Sequence, residues 1–151
     1  MSKVGGIAAH EELLLNLLWG AAIYRVPLYQ RDFAWEQEQT AELWSDVVRT
    51  AFGSEVYFLG SMVFVKTDTS VVFEILDGQQ RFASLSLMIA ALRDLIHEQQ
   101  PGHDLKNLQD TLTTMDLSGQ FGYQETVRLH MNERDDDYFT GIAAKRIIGK
   151  R

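Results

Sequence analysis

Val71-Val72-Phe73-Glu74-Ile75-Leu76-Asp77-Gly78-Gln79-Gln80-Arg81-Phe82 is the stretch where a β pattern stops and a helical one begins. The residues up to Leu76 are apolar or β-branched apart from Glu74, which reads as a buried strand. From Phe82 to Ile96 there is no Gly or Pro, and the segment is apolar almost all round. An acid, a glycine, two amides and an arginine therefore occupy a strand-to-helix elbow. Such an elbow presents free backbone N–H groups and the positive end of a helix dipole, which favours a phosphate or another anion. Gly78 permits close backbone approach, and Arg81 can add a charge-assisted contact of roughly 1.5–3 kcal/mol. Asp77 could hold a metal, orient Arg81 or cap the helix. Taken alone, the pentapeptide fits a capped helix with a solvated arginine equally well.

Outward from the elbow, Phe82, Leu85, Ile89, Leu92 and Ile96 form one apolar stripe, which Leu87, Met88 and Leu95 widen. The spacing predicts a central, mostly buried helix. On the other side, Val56–Lys66 and Val71–Leu76 read as two strands of a hairpin joined by the turn Thr67-Asp68-Thr69-Ser70. Gly60 inside the first of them marks a bulge or a close backbone approach. Glu36–Phe52 is a helix with Leu43, Trp44, Val47, Val48 and Ala51 on one face, and Gly53 suits its stop. Glu11–Trp19 reads as a short helix, and Tyr24–Trp35 as an extended or looped segment containing Pro27. After Pro101-Gly102, the residues Leu105, Leu108, Leu112 and Met115 mark another amphipathic helix. Leu117–Gln124 is a glycine-bearing loop, Thr126–Met131 alternates as a strand, and Tyr138–Ile148 reads as helical.

With 151 residues the chain fits one domain, long enough to bury a proper core. The 46% apolar and 11% aromatic content is that of a folded globular protein. No apolar run approaches the roughly 20 residues that span a bilayer. Zero cysteines exclude disulfides and thiolate metal sites, and Met1-Ser2-Lys3-Val4 lacks the order of a secretion signal, so a cytoplasmic protein is expected. Acids outnumber bases 21 to 14, giving a net charge of −7. A free-standing nucleic-acid binder usually shows a basic face, so the acidity argues against strong non-specific DNA binding while leaving room for a local pocket.

Further blocks surround the elbow in a fixed order: Val26-Pro27-Leu28-Tyr29-Gln30-Arg31-Asp32-Phe33-Ala34-Trp35, Tyr57-Phe58-Leu59-Gly60-Ser61-Met62-Val63, Val127-Arg128-Leu129-His130 and Asp137-Tyr138-Phe139. Together with Asp77-Gly78-Gln79-Gln80-Arg81 they resemble the N-terminal domain of GmrSD-type modification-dependent restriction enzymes, over about residues 23 to 140. That family usually continues the elbow with Leu-Thr-Thr-Leu, where this chain has Phe82-Ala83-Ser84-Leu85. Ser84 is the one hydroxyl kept. The elbow is also similar to the Asp-Gly-x-x-Arg motif of the ParB and sulfiredoxin superfamily, which places nucleotide phosphates at this turn. The resemblance implies an α+β fold of ParB/sulfiredoxin-like type, a small mixed sheet with helices packed around it. It implies a nucleoside triphosphate as ligand, with Mg²⁺, and hydrolysis regulating DNA cleavage in an anti-phage defence system. Nuclease chemistry in such proteins usually resides in a C-terminal His-Asn-His-type domain. Residues 1–151 are too few to include one, so the chain is expected to be the N-terminal part of a longer protein or a stand-alone remnant.

On this reading the expected catalytic residues are Asp77, Gln79, Gln80 and Arg81. The nucleotide-binding set is Tyr29, Gln30, Arg31, Gly78 and Arg81, with Asp77 as the metal ligand and Arg31 closing over the phosphates. Arg25 and Arg128 are candidates for DNA contact or for supporting the site. DNA would be reached through the full-length protein or a partner nuclease, and a homo-oligomer is left open. The alternative is a non-catalytic sensor of nucleotide or modified DNA that signals through a partner. His10, His97, His103 and His130 lack metal-ligand spacing. Gly149-Lys150 has Ala144 where a phosphate-binding loop needs glycine, and Gly60-Ser61 lies in an apolar strand, not at a nucleophile elbow.

Overall fold

The computed structural model describes residues 8–145. In chain order the elements are α1 (Leu14–Leu17), β1 (Ile23–Arg25), α2 (Gln37–Ala51), β2 (Val63–Lys66), β3 (Val72–Asp77), α3 (Gln79–Gln99), α4 (Lys106–Leu112), β4 (Thr113–Met115), β5 (Glu125–Val127), β6 (Leu129–His130) and α5 (Glu133–Ala143). A four-stranded sheet runs in the order β2-β3-β1-β6, with β2 antiparallel to β3 and the other two pairings parallel. A separate antiparallel pair joins β4 and β5. The domain is thus a small α+β fold with a mixed sheet, as expected.

β1 is the one central strand that the residue pattern hides. All three of its residues pair with β3 and two of them with β6, Tyr24 lying opposite Phe73 in β3 and opposite Leu129 in β6. Three residues are too short for alternation to show, and Pro27 follows at once. The Tyr24 ring packs 4.9 Å from Phe82 of α3, 5.2 Å from Phe64 of β2 and 5.9 Å from Phe73. Burial pushes the Tyr24 hydroxyl up to about 12, and it donates to the Leu17 carbonyl at 2.8 Å. Phe82 and Ile75 are buried in the same cluster, and Ile23 and Val72 are buried on adjacent positions of β1 and β3, at about 1.5–3 kcal/mol for each large apolar side chain.

α3 is central and mostly buried, yet Leu92 and Leu95, part of the expected apolar surface, face outward. Arg93 instead is buried on the same helix. Its guanidinium donates to the Ile142 and Ala143 carbonyls and to Gln109, and bonds Asp94, tying α3 to α4 and the end of α5. α2 matches expectation in length, but of its apolar face only Leu43 is buried, and Trp44 is 50% exposed.

Elsewhere the boundaries shift for local reasons. Residues 56–62 are not strand; the ladder of β2 begins at Val63, after the left-handed Gly60 (φ 93°). α1 is a single turn. Met115 lies in β4, not on α4, because the helix ends at Leu112. α5 starts five residues before Tyr138, where the Asn132 side chain accepts from the Asp135 amide at 3.3 Å. The part of the expected Tyr138–Ile148 helix beyond residue 145 lies outside the described residues.

The expected strand Thr126–Met131 splits at Arg128. β5 pairs with β4 before it, and β6 pairs with β1 after it. Arg128 is 3% exposed, and each of its five guanidinium N–H groups has a carbonyl: Thr111, Gly20, Ala22, Asp110 and Thr113, at 2.8–3.2 Å. Arg128 thus satisfies the carbonyls left over where one strand changes sheets. Arg128→Ala is expected to lower stability by about 2–4 kcal/mol, since several buried acceptors lose their donor. Urea unfolding measures this; a loss under about 1 kcal/mol would mean that water takes the place of the guanidinium.

Asp116 organises the following loop in a similar way. Its carboxylate, buried, accepts from the amides of Ser118, Gly119, Phe121 and Tyr123 and from the Ser118 hydroxyl. Desolvation alone would raise its pKa, but the Ser118 hydroxyl and the amides outweigh that and lower it from the ordinary 3.8 to about 2. A depressed carboxylate pKa contributes stability that is present above 3.8 and lost as pH falls towards 2. Asp116→Asn should therefore melt lower at neutral pH and flatten the fall in Tm between these two values. Parallel acid limbs in the two proteins would sink this assignment.

Candidate functional site

β3 ends at Asp77, Gly78 takes φ 89° and ψ 7°, and α3 begins at Gln79 with no side chain capping its first turn. The first helical hydrogen bond runs from the Phe82 amide to the Gly78 carbonyl at 3.0 Å. The elbow is thus one left-handed residue, which favours glycine on backbone grounds alone. Packing adds a second requirement, because a Cβ on Gly78 would stand 2.7 Å from Met62 Cγ. On that side the close neighbour of Gly78 is Met62 and not open space for a ligand.

The Tyr29–Trp35 segment is fastened to the elbow by its two glutamines. Gln30 donates to the Leu76 carbonyl at 3.0 Å and accepts from the Gln79 side-chain Nε2 at 3.4 Å. Gln80 accepts from the amides of Ala34 (2.8 Å) and Trp35 (3.1 Å) and donates to the Asp32 carbonyl at 3.1 Å. From the other side, the Asp32 carboxylate accepts from Asn132 (2.7 Å) and Arg134 (2.8 Å), and Asp135 accepts from the Phe33 amide at 2.7 Å. The segment is therefore clamped between the starts of α3 and α5. Tyr29, 74% exposed, and Arg31 remain outside the clamp. Among the described residues the side chains of Arg31 and Asp77 make no hydrogen bond or ion pair, though the Asp77 backbone pairs with Val63 in the β2–β3 ladder.

Residues 57–62 form the third wall. The Arg81 guanidinium lies against Gly60, and its one hydrogen bond among the described residues is a long one, 3.4 Å to the Ser61 carbonyl. Tyr57 donates to the Asp46 carboxylate at 2.7 Å. That bond raises the Tyr57 pKa, and the Arg81 charge works in the opposite sense.

The structure thus gathers Gln30, Asp77, Gly78, Gln79 and Arg81, with Tyr29 and Arg31 flanking them. Three expected residues do other work. Gln80 is buried, and three backbone groups of residues 32–35 engage its carboxamide, which ties it to that segment and turns it away from the catalytic role expected of it. Arg128 has no N–H left for DNA or for the elbow. Arg25 is paired with Glu74 at 2.5 Å across β1 and β3, so its charge is already matched. Among the described residues no three His, Asp or Glu side chains gather to hold a metal. Asp77 alone could serve Mg²⁺ only jointly with phosphate oxygens and water, a mode that this ion commonly uses. An open apolar groove of about 450 Å³ lies beside α2, lined by residues that include Trp35, Trp44 and Met88 but none of Asp77–Arg81.

Sequence reasoning missed Met62 and undervalued Gly60, whose position inside an apparent strand was the available signal. Gln80→Ala is expected to cost about 1–3 kcal/mol and to speed hydrogen exchange at the Ala34 and Trp35 amides above the rest of the domain. Unchanged exchange at those two amides would refute the clamp.

The mixed sheet with helices packed around it makes this a small α+β domain, in which β3 passes into α3 through one left-handed glycine. Its family is more specific. Residues 14–148 match the family model of the GmrSD restriction endonuclease N-terminal domain, and the chain belongs to that family. Membership places it in a restriction system. A search of curated proteins finds no match to the chain.

Proposed function

We propose that the elbow binds the phosphates of a nucleoside triphosphate, with Mg²⁺, and that hydrolysis there regulates DNA restriction by a nuclease domain or partner. One observation carries the reading: Arg81 is held beside an uncapped helix start by a single long hydrogen bond, with the unpaired Asp77 at the same turn. A cation so weakly engaged has donors to offer an anion. Arg81 and the amides of Gly78 and Gln79 neutralise the phosphates, and Arg31 closes over them from the clamped segment. Asp77 would hold Mg²⁺, which would offset the charge of the phosphates. Hydrolysis depends on position and electrostatics, with no covalent intermediate. Of the two glutamines, Gln79 is the one to orient water, because Gln80 is engaged by backbone.

A second reading, a nucleotide or modified-DNA sensor without turnover, is favoured by the burial of both glutamines. Phosphate release by the purified protein separates the two. The site itself is tested by calorimetry with Mg²⁺ complexes of ATP, GTP, CTP and UTP. Arg81→Ala should weaken binding at least about tenfold without shifting Tm, since Arg81 contributes little to the core. Equal affinity in wild type and mutant would rule out Arg81 as a ligand.

A further inference from the structure

Gly60 has a left-handed backbone (φ 93°), and a Cβ built on it would stand 2.8 Å from Arg81 Nη1, 3.0 Å from Cζ and 3.1 Å from Nη2. A guanidinium meeting the glycine by its Nη1–Nη2 edge would put Cζ farther away than both nitrogens, and one meeting it by another edge would put one of them far beyond Cζ. Here Cζ falls between them and the three distances are nearly equal, so the plane of the group faces the glycine. The Ser61 carbonyl then takes Nη1 from the next residue. Residues 60 and 61 lie outside the β ladder, with Tyr57 bonded to Asp46 of α2 three residues earlier.

We infer that Gly60 is a positioning residue: its bare backbone is the flat seat on which the Arg81 guanidinium rests beside the elbow. The inference deepens the nucleotide reading and rests on it for its consequence. Arg81 reaches across from α3, and its long side chain has many rotamers to lose when it orders. A seat that holds the plane before ligand arrives reduces that loss on binding. Any side chain at residue 60 occupies the seat and drives the guanidinium off it. Gly60 therefore acts on the ligand only through Arg81, which separates this role from a plain backbone requirement for positive φ.

A double-mutant cycle reads this out. Wild type, Gly60→Ala, Arg81→Ala and the double mutant are titrated by calorimetry with Mg²⁺ complexes of the four ribonucleoside triphosphates and of inorganic triphosphate. Gly60→Ala should weaken binding about tenfold or more in the wild-type background and have no further effect when Arg81 is absent. An equal loss in both backgrounds, or no loss in Gly60→Ala when Arg81→Ala does lose affinity, overturns the seat. If wild type binds none of the probes, or binds them as Arg81→Ala does, the nucleotide reading falls instead. The seat is then judged in the free protein by NMR order of the Arg81 Nε–H. Lower order in Gly60→Ala supports it, and unchanged order overturns it. Should the alanine protein melt below the assay temperature, Gly60→Asn replaces it, since asparagine tolerates positive φ better.

Discussion

Between the last residue of β3 and the first of α3 stands a single glycine, and the direction it gives the chain sets what the start of α3 meets. The turn sends α3 back so that Phe82 meets Tyr24 of the central strand. It presents Gln80 to the backbone of residues 32–35 and Arg81 to that of residues 60–61. A side chain at Gly78 would face both an unfavourable φ and Met62. The elbow is thus first an architectural joint. Any ligand site there uses the faces that the joint leaves free.

Two buried arginines complete the frame. Arg93 collects the carbonyls at the end of α5, and Arg128 collects those where β5 gives way to β6. Burial lowers the pKa of Arg128, the mark of a charge held away from water. Taking a guanidinium out of water is costly, and the cost is offset only when its donors are all engaged. At Arg128 all five are. The acidic composition hides this, because these two cations never reach the surface.

Period and punctuation revealed the hairpin, α2 and α3 in the sequence, because each is long or bounded by turn residues. β1 escaped because three residues cannot show a period. The split at Arg128 escaped because a strand that changes partners keeps one alternation throughout. At the elbow, the residue types fitted anion binding, and the blocks around it identified the family correctly. What residue types could not separate was Gln80 from Gln79, or Arg128 from Arg31. The same amide or guanidinium serves a ligand or a backbone carbonyl, and only the neighbours decide. Gly78 likewise fitted close approach, while the neighbour that makes it turned out to be Met62.

The sheet also constrains the order in which the protein can be made. Arg128 takes carbonyls that lie 106 and 108 residues earlier in the chain, and β6 pairs with β1 beside them. During synthesis β1 can find β3 once the hairpin has emerged, but its other edge stays open until β6 follows. An unpaired strand edge is a template for wrong partners, and pairings between distant residues close slowly. A ribosome-bound chain of this domain is therefore exposed on one flank for most of its elongation. A two-residue strand and one arginine are what close that flank.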